Sequence, residues 1–144
     1  MAKEAKPIRV LIADDFKLLR DVIRLYLDGA GDIEVAGEAW DLGNALAWSR
    51  KGQADVIIMN DYLPPIDSAY AALFFRDQGF EGAILVVSME AEPGRIQASL
   101  QNGANGFLHK DEIEAHLEEA VRSVYKGKRY LSPRATAAYR GVQE

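Results

Sequence analysis

The sequence has 144 residues, 49% of them hydrophobic, and its 17 Lys and Arg against 22 Asp and Glu give a formal net charge of −5. This length suits one domain with its own core, and the lack of cysteine excludes a disulfide framework or a thiolate metal site and fits a reducing cytoplasm. The acidic balance offers no bulk attraction for DNA or anionic lipid, and without an apolar stretch of ~18 residues we expect no membrane span.

Apolar runs of strand length alternate along the chain with segments of helical period. The runs are nearly continuous in Val, Ile and Leu, as in strands of a parallel sheet that is covered on both faces. The predicted strands are Ile8–Ala13, 33–37, 56–59, 83–87 and 106–108. The predicted helices are 16–27, Leu42–Arg50, Ser68–Asp77, 93–102 and 112–125.

This alternation predicts an α/β fold. Strand and helix units in series give a parallel sheet with right-handed crossovers and helices on both sides. We therefore expect a flavodoxin-like, doubly wound sheet of five strands in the order 2-1-3-4-5, with five flanking helices. The predicted boundaries are a disordered N-terminal tail, 1–7, a domain, 8–127, and a C-terminal linker or short helix stub, 128–144. Within the stub, Ser132 before Pro133 predicts a helix start.

Polar residues stand at the carboxyl ends of four predicted strands. They are Asp14 and Asp15, Asn60, Ser88 and Lys110. Ligands of an open parallel sheet bind outside these strand ends. A single polar residue beside a strand is usually a solvated loop residue, but five in concordant positions predict one shared pocket.

Several segments are similar to a known family. They are IRVLIADD from Ile8, GEA from Gly37, NGANGFLHKD from Asn102 and YLSP from Tyr130. Together with the strand-end residues they resemble the CheY-like receiver domain of two-component response regulators, in particular that of LuxR-type (NarL-like) transcriptional regulators. The resemblance runs from Ile8 to about Ser132.

The resemblance implies a magnesium site. Asp14 and Asp15 would hold Mg²⁺, with the side chain of Asn60 and the backbone carbonyl of Tyr62 as further ligands. A hard cation of this kind prefers oxygen ligands and would offset the anions that phosphoryl transfer brings together.

The resemblance also implies a phosphoryl pocket and a switch. Ser88 would hydrogen-bond one phosphoryl oxygen and Lys110 would pair with another, which together supply position and charge stabilisation. Phe107 would be the aromatic side chain that swings inward on activation. The residues alone leave simpler interpretations open: a helix cap for Ser88, a surface charge for Lys110 and a core position for Phe107.

The family carries a carboxylate as phosphoryl acceptor where this sequence has Asn60. The alternative acceptor is Asp61. When positions are counted from Asn60, the surrounding residues match the family pattern, but when they are counted from Asp61 most of them do not. Side chains also alternate between the faces of a strand, so that only one of the two neighbours points into the pocket. The residues that fit the count from Asn60 are Asp55, Leu63, Pro64, Ile66 and Asp67.

An amide at the acceptor position should not form a stable phosphoryl adduct, because its oxygen carries no full charge. We therefore expect a domain held near its unphosphorylated conformation. Further departures are Leu42, Pro65 and Ser68, where relatives commonly have glycine. The pattern fits an introduced Asp-to-Asn change and a natural phosphate-independent receiver equally well.

Two function classes follow. The first is a cytoplasmic, non-enzymatic receiver, the input module of a LuxR-type transcriptional regulator that a sensor histidine kinase addresses, with no DNA or membrane binding by this chain itself. The second is a stand-alone pseudo-receiver that acts as a protein–protein interaction module. A gene that extends past Glu144 would favour the first, and a stop codon there the second. Leu18 and Leu25, a heptad apart, suggest a homodimer patch.

Overall fold

The computed structural model describes residues 6–143, without the side chains of the last two. Most of the predicted N-terminal tail, 1–7, therefore lies outside the described residues. The strands are β1 Ile8–Ala13, β2 Ile33–Ala39, β3 Val56–Asn60, β4 Tyr62–Leu63, β5 Ile66–Asp67, β6 Ala83–Ser88, β7 Gly106–His109 and β8 Tyr130–Leu131. The helices are α1 Lys17–Asp28, α2 Leu42–Arg50, α3 Ser68–Asp77, α4 Pro93–Gln101, α5 Ile113–Tyr125 and α6 Pro133–Gln143, with a 3-10 turn at Lys110–Glu112.

The main sheet is parallel, in the order β2-β1-β3-β6-β7-β8, with the antiparallel pair β4-β5 beside it. The α/β flavodoxin-like prediction is confirmed, but five strands and five helices were too few. Tyr130–Leu131 adds a sixth strand because its backbone pairs with the edge of β7: the N–H of Tyr130 donates to the carbonyl of Asn105 and that of Ser132 to the carbonyl of Phe107, both at 3.0 Å. Two residues carry no periodicity, which is why the sequence pattern missed them.

The sheet has a core on each face, because side chains alternate along its strands. Val10 and Ile12 of β1 point into the layer under α1 and α5, where Leu117 and Val121 are buried. Leu11 and Ala13 point into the opposite layer, under α2, α3, α4 and α6. Burial on both faces explains why the strands read as continuous apolar runs.

The sixth helix covers part of the second layer. α6 packs against α4, and its residue Ala135 is fully buried in the same core as Ile96 of α4 and Phe107 of β7. The hydroxyl of Ser132, just before α6, accepts the N–H of His109 at 3.1 Å. The segment that the sequence suggested as a linker or stub is therefore packed on the sheet.

Side-chain caps begin the helices beside the pocket edge. Asp41 accepts the N–H of Asn44 at the start of α2 at 2.7 Å. Glu92 accepts the N–H groups of Gly94 and Arg95 at the start of α4, directly before Pro93. These carboxylates satisfy backbone donors that a helix leaves free at its N-terminus. Within residues 6–143, no helix combines the length and apolar character that a membrane crossing requires.

Candidate functional site

The predicted strand-end residues come to one edge of the sheet. Asn60 ends β3, which lies between β1 and β6, and Ser88 ends β6. Asp14 and Asp15 directly follow β1, and Lys110 directly follows β7. Because parallel strands share a direction, their carboxyl ends form a single edge. The topology thus places all five residues along neighbouring strands of that edge.

Asp14 is the buried member of the acid pair. Its side chain accepts the N–H of Phe16 at 2.9 Å, and the residue is only 2% exposed, whereas Asp15 is exposed. Burial raises the pKa of Asp14; the N–H of Phe16 and the charge of Lys110 oppose this increase, and Asp15 adds to it.

An arginine and a glutamate hold the backbone at Asp14. Nη1 of Arg20 donates to the carbonyl oxygen of Asp14 at 2.7 Å, and Nε of Arg20 donates to Glu38 at 2.9 Å. Glu38 also accepts Arg24 at 2.7 Å. Burial raises the pKa of Glu38, but the hydrogen bonds from Arg24 and Arg20 together bring it below its ordinary value. This network supports the backbone beside the acid pair, and the sequence analysis did not predict it.

Asn60 is half-buried and turned toward its own loop. Its Nδ2 donates to the carbonyl oxygen of Tyr62 at 2.9 Å. Its Oδ1 is buried and has no hydrogen-bond partner among the described residues. A buried acceptor without a donor is costly, so that a cation or a donor placed there would stabilise the site.

Asp61 points to a different partner from that of Asn60. Its Oδ2 accepts the hydroxyl of Ser88 at 2.6 Å. No three His, Cys, Asp or Glu side chains between residues 6 and 143 come together as a metal site, so Asp61 does not join Asp14 and Asp15 in such a cluster. The sequence pattern had considered Asp61 only as an alternative acceptor and missed its contact with Ser88.

Phe107 and Ser88 are both fully buried. Phe107 pairs with Val86 across β6 and β7 and packs in the core layer that contains Ile96 and Ala135.

The donor set can be compared with the needs of Mg²⁺. Asp14 and Asp15 carry carboxylate oxygens, and Oδ1 of Asn60 is a buried neutral oxygen without a partner among the described residues. The carbonyl of Tyr62 already accepts one hydrogen bond, although a carbonyl has two lone pairs. Oxygen is the ligand type that a hard cation prefers, and this set carries one negative charge fewer than three carboxylates would.

Comparisons with known proteins agree with this geometry. The family model of the response regulator receiver domain matches residues 10–122. The chain is 32% identical over 125 residues to the response regulator UvrY of Escherichia coli and 32% identical over 126 residues to the transcriptional regulatory protein DesR of Bacillus subtilis. These matches cover 87% and 88% of this chain but only 57% and 62% of the relatives, so the chain spans about three-fifths of their length.

A solved structure gives the same result. The signal receiver domain of NarL from Mycobacterium tuberculosis is similar with a TM-score of 0.81 and 31% identity, and the match covers 86% of this chain and 100% of that domain.

Proposed function

Because the chain belongs to the receiver domain family of two-component response regulators, of the LuxR/NarL type, we propose that it is a receiver whose acceptor position is occupied by Asn60. The observation that carries the proposal is the place of Asn60. It ends the strand between β1 and β6, and its side chain bonds to the following loop at Tyr62 while Asp61 bonds to Ser88. The carboxylate of the neighbouring acid is thus already hydrogen-bonded to Ser88.

The chemistry of an amide makes such a receiver phosphorylation-deficient. The nitrogen lone pair of Asn60 is delocalised into its carbonyl, and its oxygen carries no full charge with which to attack phosphorus. Of the other pocket groups, Lys110 remains able to contact an anion, whereas the hydroxyl of Ser88 is bound by Asp61. The domain would then signal without phosphate or not switch at all.

Magnesium would be held by Asp14, Asp15, Oδ1 of Asn60 and the carbonyl of Tyr62. The unpartnered Oδ1 supports this assignment, because a cation would satisfy it. The cation would supply charge neutralisation for an incoming anion. With an amide in place of the third carboxylate, we expect binding weaker than in the variant Asn60→Asp.

Phosphorylation of the intact chain tests the proposal. The protein is incubated with acetyl phosphate and Mg²⁺, and its intact mass is measured, with Asn60→Asp as the positive control. We expect a phosphoryl adduct on the variant and none on the unaltered chain. A stoichiometric adduct on the unaltered chain would refute the proposal, and peptide mapping would then show whether Asp61 carries it.

The partners follow from the family. We propose a cytoplasmic, non-enzymatic module that a sensor histidine kinase addresses and that serves a transcriptional regulator, whose DNA-binding part would lie outside this chain. A homodimer would use α1, where Leu18 and Leu25 are 62% and 70% exposed. Two large apolar side chains on one helix surface favour contact with another protein.

A second candidate is a stand-alone pseudo-receiver that acts as an interaction module. It is favoured by the outward face of α3, where Tyr70, Leu73 and Phe74 are all exposed at helical spacing. Binding to a candidate kinase separates the two functions: the first predicts that Asn60→Asp gains phosphotransfer from that kinase, whereas the second predicts that neither form receives phosphate.

A further inference from the structure

The hydroxyl at the end of β6 is bound by a carboxylate of the chain itself. The Oγ of Ser88 lies 2.6 Å from Oδ2 of Asp61 and 3.0 Å from the carbonyl oxygen of Glu90. A hydroxyl has one proton, and a charged oxygen at the shorter distance takes it in preference to a neutral one. The same Oγ accepts the N–H of Glu90 at 3.0 Å. The single proton of Ser88 is therefore in use, together with one of its two acceptor lone pairs.

Backbone hydrogen bonds fix the position of Asp61. Its N–H donates to the carbonyl of Val87 at 3.0 Å, which anchors it to β6. Its carbonyl accepts the N–H of Ser68 at 2.8 Å, which anchors it to the first residue of α3. The carboxylate is thus presented to Ser88 by a backbone that is held on both sides.

From these contacts we infer that Asp61 is a latch, a positioning residue whose carboxylate keeps the Ser88 hydroxyl away from any anion bound at Asn60. The inference goes beyond the proposed function, because it adds a second and independent obstacle to switching. An anion in the pocket must compete with Asp61 for a single proton, and it must do so beside the negative charge of Asp61. Restoring an acid at position 60 alone would therefore not restore a free Ser88.

The latch also sets the conformation of the loop between β6 and α4. Through the N–H of Glu90, Ser88 ties that loop to the strand end, two residues before the cap Glu92 begins α4. Ile96 of α4 packs in the same core as Phe107. A change at Asp61 should therefore reach the ring of Phe107 through the loop and α4.

A double-mutant cycle measures the latch directly. The variants are Asp61→Ala, Ser88→Ala and the double variant, and the measured quantity is the unfolding equilibrium constant in urea. A hydrogen bond to a charged group predicts a coupling of about tenfold to a hundredfold in this constant. Asp67→Ala is the matched control, since Asp67 lies in the same loop but pairs with Arg95. The effects of Asp67→Ala and Ser88→Ala on the unfolding free energy should be additive. A coupling within error of zero for Asp61 and Ser88 would overturn the inference.

Anion binding gives a second readout. In the Asn60→Asp background with Mg²⁺, beryllofluoride should bind about tenfold more tightly once Asp61 is changed to Asn, because Ser88 is then freed from a charged acceptor. The amide of Glu90 should also exchange its hydrogen several-fold faster in Asp61→Asn. Equal affinity and unchanged exchange would contradict the latch. The cycle measures stability and not phosphorylation, so its failure is distinct from failure of the proposed function.

Discussion

The side-chain amide of Asn60 donates to the carbonyl oxygen of Tyr62 at 2.9 Å, so a strand-end side chain holds the loop that follows it. An ionised aspartate in this place could only accept hydrogen bonds, and its oxygen would face another acceptor. The amide N–H thus satisfies one of the two lone pairs of the Tyr62 carbonyl and leaves the other available to a metal ion.

This relationship predicts the effect of Asn60→Asp on stability. In metal-free buffer, the variant should lose about 1 kcal/mol of unfolding free energy, because the bond to Tyr62 is lost and a new charge stands near the acid pair. Mg²⁺ at millimolar concentration should restore most of the loss. Urea unfolding with and without chelator measures both. A higher unfolding free energy of Asn60→Asp than of the unaltered chain in the presence of chelator would contradict the account.

A matched variant controls for added charge. Gln53→Asp places the same charge at an exposed position between α2 and β3. Its stability should change by no more than about 0.5 kcal/mol, and Mg²⁺ should not change it.

Glu38 should contribute stability that depends on pH. Its folded pKa lies below the ordinary value of 4.5, so the stabilisation is present above that pH and is lost as pH falls through the folded pKa. Glu38→Gln should lower the unfolding free energy by about 1 kcal/mol at neutral pH, and the difference should shrink in acid. Urea unfolding across the acid range measures it. Glu34 is exposed, so Glu34→Gln should not lower the unfolding free energy comparably. If the loss of unfolding free energy in Glu38→Gln did not change with pH, this would count against the network.

The burial of Tyr130 in β8 predicts a loss of stability at alkaline pH. Burial raises the pKa of Tyr130 from 10.0 to about 12, with smaller contributions from Glu119 and Glu112. Since the unfolded phenol ionises first, the stabilisation is present below pH 10 and is lost as pH rises through about 12. Absorbance titration of tyrosinate should show one late group that disappears in Tyr130→Phe and persists in Tyr125→Phe. An ordinary titration of Tyr130 would mean that β8 is not docked.

The exposed leucines of α1 should decide self-association. A buried leucine contributes about 1.5–3 kcal/mol, so that changing Leu18 and Leu25 to Glu should raise the dimer dissociation constant at least tenfold. Light scattering across protein concentrations measures it. Leu73→Glu on α3 is the control and should leave the dimer intact; the reverse pattern would move the interface to α3.

The sequence predicted the architecture because burial on both sheet faces produces continuous apolar runs such as 56–59. It predicted which edge of the sheet gathers the strand-end residues for a related reason: the carboxyl ends of parallel strands lie together. It could not predict β8, since a strand of two residues, Tyr130 and Leu131, is too short to show a periodic pattern of side chains. Nor could it predict that Asp61 binds Ser88, because this contact depends on how the loop after β3 turns.

The central claim is that the pocket around Asn60 does not capture a phosphoryl-like anion. Titration with Mg²⁺ and beryllofluoride, followed by amide NMR of the unaltered chain and of Asn60→Asp, tests it most directly. The account predicts saturable shifts at Ser88 and Lys110 in the variant and none in the unaltered chain. A saturable response of the same residues in the unaltered chain, at comparable concentrations, would contradict it.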